Sequence, residues 1–320
     1  MVSIIIPLFN KRYFIESAIR SVKDQTYTDW ELIIVDDVST DGSYEIVQEQ
    51  AEKEQRIRVI RNQQNRGGNF CRNEGVRQTR GHYIIFFDGD DLLSRECLAI
   101  RVAAMEQHPH IDAGIFTLGV FTDRVDVVKR FWSPKSENAL PGFLKHDLPW
   151  QTMQPIWRRD FIKKTGGFDE QFPRLQDVEF HTRALLLHNL QFMVFPGQPD
   201  CFFRTTEERK NFDTTSFLNK WVTGAVLYFR KFYLPAKEKK LDRYLNGTIY
   251  HTYMQLLWAF KQQKITKETF RELKQSLFEV NAGSGFPLSK KVIFQAAGFY
   301  NLLPVRIPGI NLALRKLITL

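Results

Sequence analysis

Phe86-Phe-Asp-Gly-Asp-Asp91 sets three carboxylates, Asp88, Asp90 and Asp91, within four residues, directly behind the apolar run Tyr83 to Phe87. Carboxylates this close repel one another unless positive charge sits among them. A divalent ion joining them to a diphosphate resolves the repulsion, because hard oxygen ligands suit Mg²⁺ or Mn²⁺. A second acidic group, Asp36-Asp-Val-Ser-Thr-Asp-Gly42, follows the apolar run Glu31-Leu-Ile-Ile-Val35. There the same residue types serve equally well to make a turn and cap a helix. Asp177 is a third candidate, in Leu175-Gln-Asp-Val-Glu-Phe-His-Thr-Arg-Ala-Leu185. It stands at the mouth of a helical pattern, where an aspartate either caps the helix or accepts a proton. His181 shares its helix face, a spacing common on ordinary surfaces.

The elements that must position these groups are legible along the first ninety residues. Val2 to Ile6 is a β-branched run ending at Pro7 and Asn10, and Ile15, Ala18, Ile19 and Val22 then recur at helical spacing. Strands follow at Glu31 to Val35, Arg58 to Ile60 and Tyr83 to Phe87, separated by helices over Tyr44 to Gln55 and Asn69 to Thr79. The last strand is apolar throughout, as befits one covered on both faces. This rhythm predicts an α/β fold with a mostly parallel central sheet, whose ligands bind beyond the carboxyl ends of the strands. Both acidic loops fall at such ends, about 50 residues apart in sequence. No GxGxxG follows the first strand and no GxxxxGK[ST] occurs; Gly67-Gly68-Asn69 is a bare glycine pair. Phosphates would therefore be held by a metal and side chains, with no glycine cradle.

The chain has 320 residues, room for about two domains. Its three cysteines, Cys71, Cys97 and Cys201, have no zinc-like spacing and suit a reducing compartment. The first apolar run lacks a basic leader, so it predicts a strand and no export. No apolar stretch is long enough to predict a spanning helix. Charge is uneven: residues 1–203 hold 25 basic and 28 acidic side chains, whereas residues 204–320 hold 20 and 8, a net of +12. That third mixes Trp, Tyr, Phe and Leu with lysine and arginine over Asn219 to Leu234, Leu241 to Lys264 and Lys267 to Phe278. The apolar stretch Val292 to Leu303 and the basic residues Arg306, Arg315 and Lys316 follow. Either it is a helical subdomain with ordinary amphipathic faces, or its basic apolar surface lies on anionic lipid. No nucleic-acid-binding motif accompanies the charge.

In this order the segments resemble family 2 of the nucleotide-sugar glycosyltransferases, inverting enzymes with the GT-A fold. The resemblance rests on Val2-Ser-Ile-Ile-Ile-Pro-Leu-Phe-Asn10, Ser21 to Tyr27, Trp30 to Ser43, Asn65 to Gly75, Gly81 to Asp91 with Asp88-Gly89-Asp90, and Gly166-Gly-Phe-Asp-Glu170 with Gln176-Asp177. It covers residues 1–205, and it implies a GT-A domain there. Its halves, about 1–100 and 101–205, would bind nucleotide and acceptor, and a helical, basic region would follow over 206–320. Pro7, Phe9 and Asn10 would border the nucleoside pocket, Asp37 would face the base, and Arg72 would lie against the nucleotide. Asp88 would touch the ribose or sugar side and assist Asp90, the principal metal ligand, with Asp91 beside the sugar. Arg204, at the end of Cys201-Phe-Phe203, would meet the diphosphate, and Asp177 would be the general base. The family usually has Glu-Asp where this chain has Gln176-Asp177. Trp150, Gln151 and Trp157 would either stack on a sugar or fill the core.

The resemblance implies metal-dependent transfer of a hexose or N-acetylhexosamine from a nucleoside diphosphate sugar, UDP-linked by preference, to a glycan or lipid-linked acceptor. One sugar is expected per encounter, because no Gln-x-x-Arg-Trp is present. The expected setting is bacterial surface polysaccharide synthesis by a cytoplasmic enzyme held peripherally at the inner membrane face. Two other readings are a non-catalytic sugar-nucleotide or glycan-binding module and a sugar nucleotidyltransferase. The retained Asp88, Asp90 and Asp177 oppose the first; the lack of a glycine-rich, basic first loop opposes the second.

Overall fold

A computed structural model of the chain describes residues 1–122, 128–205, 213–279 and 310–319, with 294, 296 and 300. Strand and helix alternate at first: β1 (Val2–Leu8), α1 (Ile15–Lys23), β2 (Trp30–Asp36), α2 (Ser43–Lys53), β3 (Ile57–Arg61), α3 (Gly68–Gln78) and β4 (Tyr83–Phe86). Then come β5 (Leu92–Leu93), α4 (Cys97–Gln107), β6 (Ala113–Phe116), β7 (Leu118–Phe121), β8 (Arg130–Trp132), α5 (Ala139–Leu144) and β9 (Pro155–Arg158). α6 (Arg159–Thr165), α7 (Gln176–Leu187), β10 (Phe192–Phe195) and β11 (Cys201–Arg204) follow. The described remainder is helical: α8 (Thr214–Glu238), α9 (Leu245–Lys261), α10 (Lys267–Glu279) and α11 (Ile310–Thr319).

The apolar runs of β2 and β4 are buried along their whole length, and β1 is buried except at Pro7. α1 covers the sheet with Ile15, Ala18, Ile19 and Val22, the four positions whose spacing predicts it. Seven strands lie in the order β10-β6-β9-β4-β1-β2-β3. The β3-β2-β1-β4 portion is wholly parallel, built by crossovers through α1, α2 and α3. The sheet is nevertheless mixed. β9 runs antiparallel to both its neighbours, β4 and β6. A second sheet, β5-β11-β7-β8, is antiparallel except where β11 meets β7.

The chain divides into two compact units. The first, Met1–Glu137, Pro149–Glu170 and Arg183–Lys210, holds both sheets. In its core Arg101 and Asp200, both buried, form a two-pronged ion pair with Nε and Nη2 each 2.7 Å from a carboxylate oxygen, while Nη1 donates to the Met153 carbonyl. Trp150 and Trp157 are fully buried there and fill the core.

The second unit comprises Asn138–Leu148, Gln171–Thr182 and Asn211–Leu320. α8 starts behind Asp213, whose carboxylate accepts the N–H groups of Thr215 and Ser216. α8, α9 and α10 pack on one another and bury Tyr228, Phe232, Leu256 and Leu277. Glu179, fully buried, pairs with Lys231 at 2.8 Å. Leu234 and Trp258 stay exposed among the basic side chains. No described helix is long and apolar enough to cross a membrane. Most of the apolar stretch 292–303, together with Arg306, lies outside the described residues.

Candidate active site

Because β1, β2 and β4 are parallel neighbours, the loops that follow them emerge at one edge of the sheet. Asn10 follows β1, Asp37 follows β2, and Asp88 to Asp91 follow β4, so both acidic loops share that edge. Pro7 lies in β1 opposite Val35, and the Phe9 ring is about half exposed at the strand's end. Asn10, at φ 51°, ties two loops together: its N–H donates to Ser39 Oγ at 3.1 Å and its Oδ1 accepts the Thr40 N–H at 2.9 Å. Val38 takes φ 65°, a left-handed conformation that a branched residue rarely adopts.

Asp37 is buried and pins the loop ahead of α3. Its Oδ1 accepts from Asn62 Nδ2 and the Arg66 N–H, both at 2.8 Å, and its Oδ2 from the Gly67 N–H at 2.7 Å. Gly67 makes the turn at φ 84°.

The loop after β4 is threaded with positive charge. Arg72, buried on α3, donates to Asp88 Oδ1 at 2.8 Å, and its guanidinium lies 5.4 Å from the Phe168 ring. Lys11 Nζ stands 2.6 Å from Asp90 Oδ2. Arg204 gives its backbone N–H to Asp91 Oδ1 and its Nε to the Asp90 carbonyl, at 2.8 and 2.9 Å. The repulsion among three carboxylates is thus relieved by the protein's own cations. Gly89 has a steric reason: a Cβ there would lie 3.1 Å from Ile15 Cδ1 and 3.4 Å from Ile6 Cγ2.

Among the described residues no three histidine, cysteine or acidic side chains converge to cage a metal. Mg²⁺ and Mn²⁺ sites at diphosphates need fewer, since one or two carboxylates suffice when phosphate and water complete the shell. Asp88 and Asp90 supply such hard oxygens on a loop already built to hold cations, so their chemistry fits the ion.

The glycine pair Gly166-Gly167 belongs to a clasp on α3. Asn73 donates to the Phe168 carbonyl at 2.9 Å and accepts the Phe168 N–H at 2.8 Å, while Asn69 donates to the Asp169 carbonyl at 2.8 Å. Gly167 sits at φ 74° with its α-carbon against the Asn73 amide, where a Cβ would collide.

Asp177 lies in the second unit, in the first turn of α7, and its Oδ1 accepts the Val178 N–H at 2.9 Å. It stands close enough to Arg174 for its charge to oppose the lowering that burial imposes on that guanidinium. His181 is buried against Phe143, ring centroids 5.1 Å apart, and burial pushes its pKa down to about 3. The imidazole is therefore neutral near pH 7.

Sequence reasoning missed Lys11, together with Asn62 and the Arg66 and Gly67 amides that hold Asp37. Lys11 had one available signal, its place immediately after Asn10 in the loop that follows the first strand.

A model of the family described as Glycosyl transferase family 2 matches residues 3–165. TuaG of Bacillus subtilis (strain 168), a glycosyltransferase named for teichuronic acid biosynthesis, is 40% identical over 105 residues, 33% of this chain and 42% of that protein. The chain spans about half the length of the curated relatives it matches. Among solved structures, TarS 1–349 of S. aureus in complex with UDP aligns with a TM-score of 0.65 at 19% identity, covering 91% of this chain and 82% of that one. The mannosyltransferase PcManGT of Pyrobaculum calidifontis, in complex with GDP-Man and Mn²⁺, aligns at 0.55 and 16% identity, covering 99% and 84%. At these identities the two structures speak for the fold.

Proposed function

This chain belongs to glycosyl transferase family 2, and we propose that it is an inverting glycosyltransferase with a GT-A catalytic domain over residues 1–205. It moves a hexose or N-acetylhexosamine from a nucleoside diphosphate sugar to a hydroxyl of a glycan or lipid-linked acceptor. The observation that carries the reading is the meeting of Asp37, Asp88, Asp90 and Asp91 at the carboxyl-terminal edge of β1, β2 and β4. Asp37 faces the nucleoside base, beside Pro7, Phe9 and Asn10. Arg72 and Arg204 face the diphosphate, and Asp88 and Asp90 hold Mn²⁺ or Mg²⁺.

Cleavage at the anomeric carbon leaves negative charge on the departing diphosphate. A bound divalent ion supplies charge stabilisation there. Arg72 and Arg204 add fixed positive charge, oriented in advance by their bonds to the β4 loop. Asp177 takes the acceptor hydroxyl's proton as that oxygen attacks from the opposite face of the sugar. A UDP-linked donor is favoured, in keeping with the UDP bound by TarS; the GDP-Man of PcManGT makes guanosine donors the first comparison.

The acceptor reading, a cell-envelope glycan or its lipid-linked precursor, draws on the name of TuaG. Peripheral attachment to an anionic membrane face at the cytoplasmic side draws on the +12 charge of residues 204–320. Co-sedimentation of the full chain with anionic but not neutral vesicles, lost at high salt, is the expected result for that surface.

The deciding experiment incubates the protein with UDP-, GDP- and dTDP-sugars, Mn²⁺, and glycan or polyprenyl-diphosphate acceptors. Release of one nucleoside diphosphate with a product of inverted anomeric configuration is expected. Binding of a sugar nucleotide without release would instead favour the non-catalytic module.

A further inference from the structure

We infer that Lys11 is a resident counter-ion at Asp90, one that competes with a divalent cation for that carboxylate. The inference rests on the metal-assisted donor site proposed above, and it assigns to this chain a cation of its own that competes for the same oxygen. Asp90 is only 2% exposed, and a carboxylate so buried is costly without a positive partner. Lys11 supplies positive charge there, 2.6 Å from Oδ2. A divalent ion on Asp90 and an ammonium at contact distance from the same carboxylate repel each other, the more strongly the closer they lie. The ammonium and the metal therefore compete for Asp90.

The two halves of Lys11 are held very differently. Its backbone N–H donates to Ser43 Oγ at 2.7 Å, and Asp41 in turn accepts from the Ser43 hydroxyl and the Arg12 N–H. The loop is thus fastened to the start of α2. The side chain is about a third exposed, so its four-carbon stem has solvent to swing into. Arg72 on Asp88 offers no comparable freedom, since that guanidinium is almost wholly buried. Compared with the Arg72–Asp88 pair, the Lys11–Asp90 pair is the one free to open.

The consequence is a reduced apparent affinity for metal. While Lys11 stands on Asp90 its charge opposes a second cation there, so the observed dissociation constant is higher than the carboxylate would show without it. Lys11 would keep the Asp90 carboxylate in place while the donor site is empty.

The test is calorimetric titration of Mn²⁺ alone into the full-length, metal-free protein, with no nucleotide. Lys11→Met is expected to bind Mn²⁺ about tenfold more tightly than the parent, and Lys11→Arg to bind like the parent. Without metal, Lys11→Met should melt at a lower temperature, yet Mn²⁺ should raise its Tm by more than it raises the parent's. Adding Asp90→Asn to Lys11→Met should erase the gain. Lys11→Gln gives a second neutral replacement if Lys11→Met does not fold. Equal Mn²⁺ affinity in the parent and the neutral variants overturns the inference, and so does a gain that survives Asp90→Asn. A lower Tm with unchanged affinity marks a merely structural lysine. If neither parent nor variants bind Mn²⁺, even with UDP present, the metal-site reading itself fails and takes the inference with it.

Discussion

Arg204 donates its backbone N–H to Asp91 Oδ1 at 2.8 Å, joining residues 113 positions apart and fastening β11 to the loop after β4. The same arginine reaches the Asp90 carbonyl through Nε. Arg204→Ala keeps the first bond and loses the second. It is expected to lower stability by about 1–3 kcal/mol and to weaken nucleotide binding. Arg204→Lys should recover little, because an ammonium does not reproduce the guanidinium's fixed donors. Urea denaturation of the three proteins checks this, and coincident midpoints would contradict it.

Metal and base are expected to separate by mutation. Asp90→Ala should weaken Mn²⁺-dependent binding of UDP, since it deletes a direct ligand. Asp177→Asn should leave that binding nearly intact and slow transfer by about 10²-fold or more, the range for loss of a general base. Calorimetry with UDP and Mn²⁺ distinguishes them; equal loss of affinity in both refutes the division.

His181 makes a prediction about pH. Its folded pKa, driven down by burial to about 3, lies below the ordinary value near 6.5. Between those values the unfolded chain takes up a proton here that the folded chain refuses. Stability should therefore fall as pH drops through that window, by about 1.4 kcal/mol per unit from this residue. His181→Gln should remove that part of the slope. Urea unfolding of both proteins between pH 7 and pH 4 gives the comparison, and parallel curves would show that His181 is not the group responsible.

The buried Arg101–Asp200 pair should be more costly to break than to replace. Asp200→Asn leaves a guanidinium in the core without its counter-charge, with an expected loss of about 3–5 kcal/mol. Arg101→Met with Asp200→Leu, which removes both charges, should be far milder. Thermal melts of single and double variants would reveal additive losses if the argument is mistaken.

The β1 to β4 portion was legible because its information is local. Ile15, Ala18, Ile19 and Val22 announce a helix by spacing alone, and an acidic loop behind each apolar run marks the carboxyl edge. β9 was not legible in its direction, since nothing within Pro155 to Arg158 records the route by which the chain arrives. The acidic cluster was legible as a charge problem but not in its resolution. Lys11, Arg72 and Arg204 answer it from positions scattered across the first unit, and sequence spacing carries no trace of such meetings. Asp37 illustrates the same limit: its type suggested a ligand, while most of its acceptor capacity holds the next loop. His181 and the two tryptophans, Trp150 and Trp157, turned on burial, which a short window of sequence does not reveal.

The clasp of Gly166 to Glu170 on α3 has a consequence for biosynthesis. A ribosome delivers β1 to β4 within the first ninety residues; β1, β2 and β3 find all their strand partners there, and β4 waits only for β9 on its other side. The Asn73 and Asn69 clasps wait for residues 168 and 169, and the brace on Asp91 waits for Arg204. A nascent chain stopped near residue 160 would carry the complete parallel core with both fastenings of its acidic edge still missing. Competence for the donor would then come late in synthesis, after the scaffold has formed, and N-terminal fragments would be expected to fold before they can bind nucleotide.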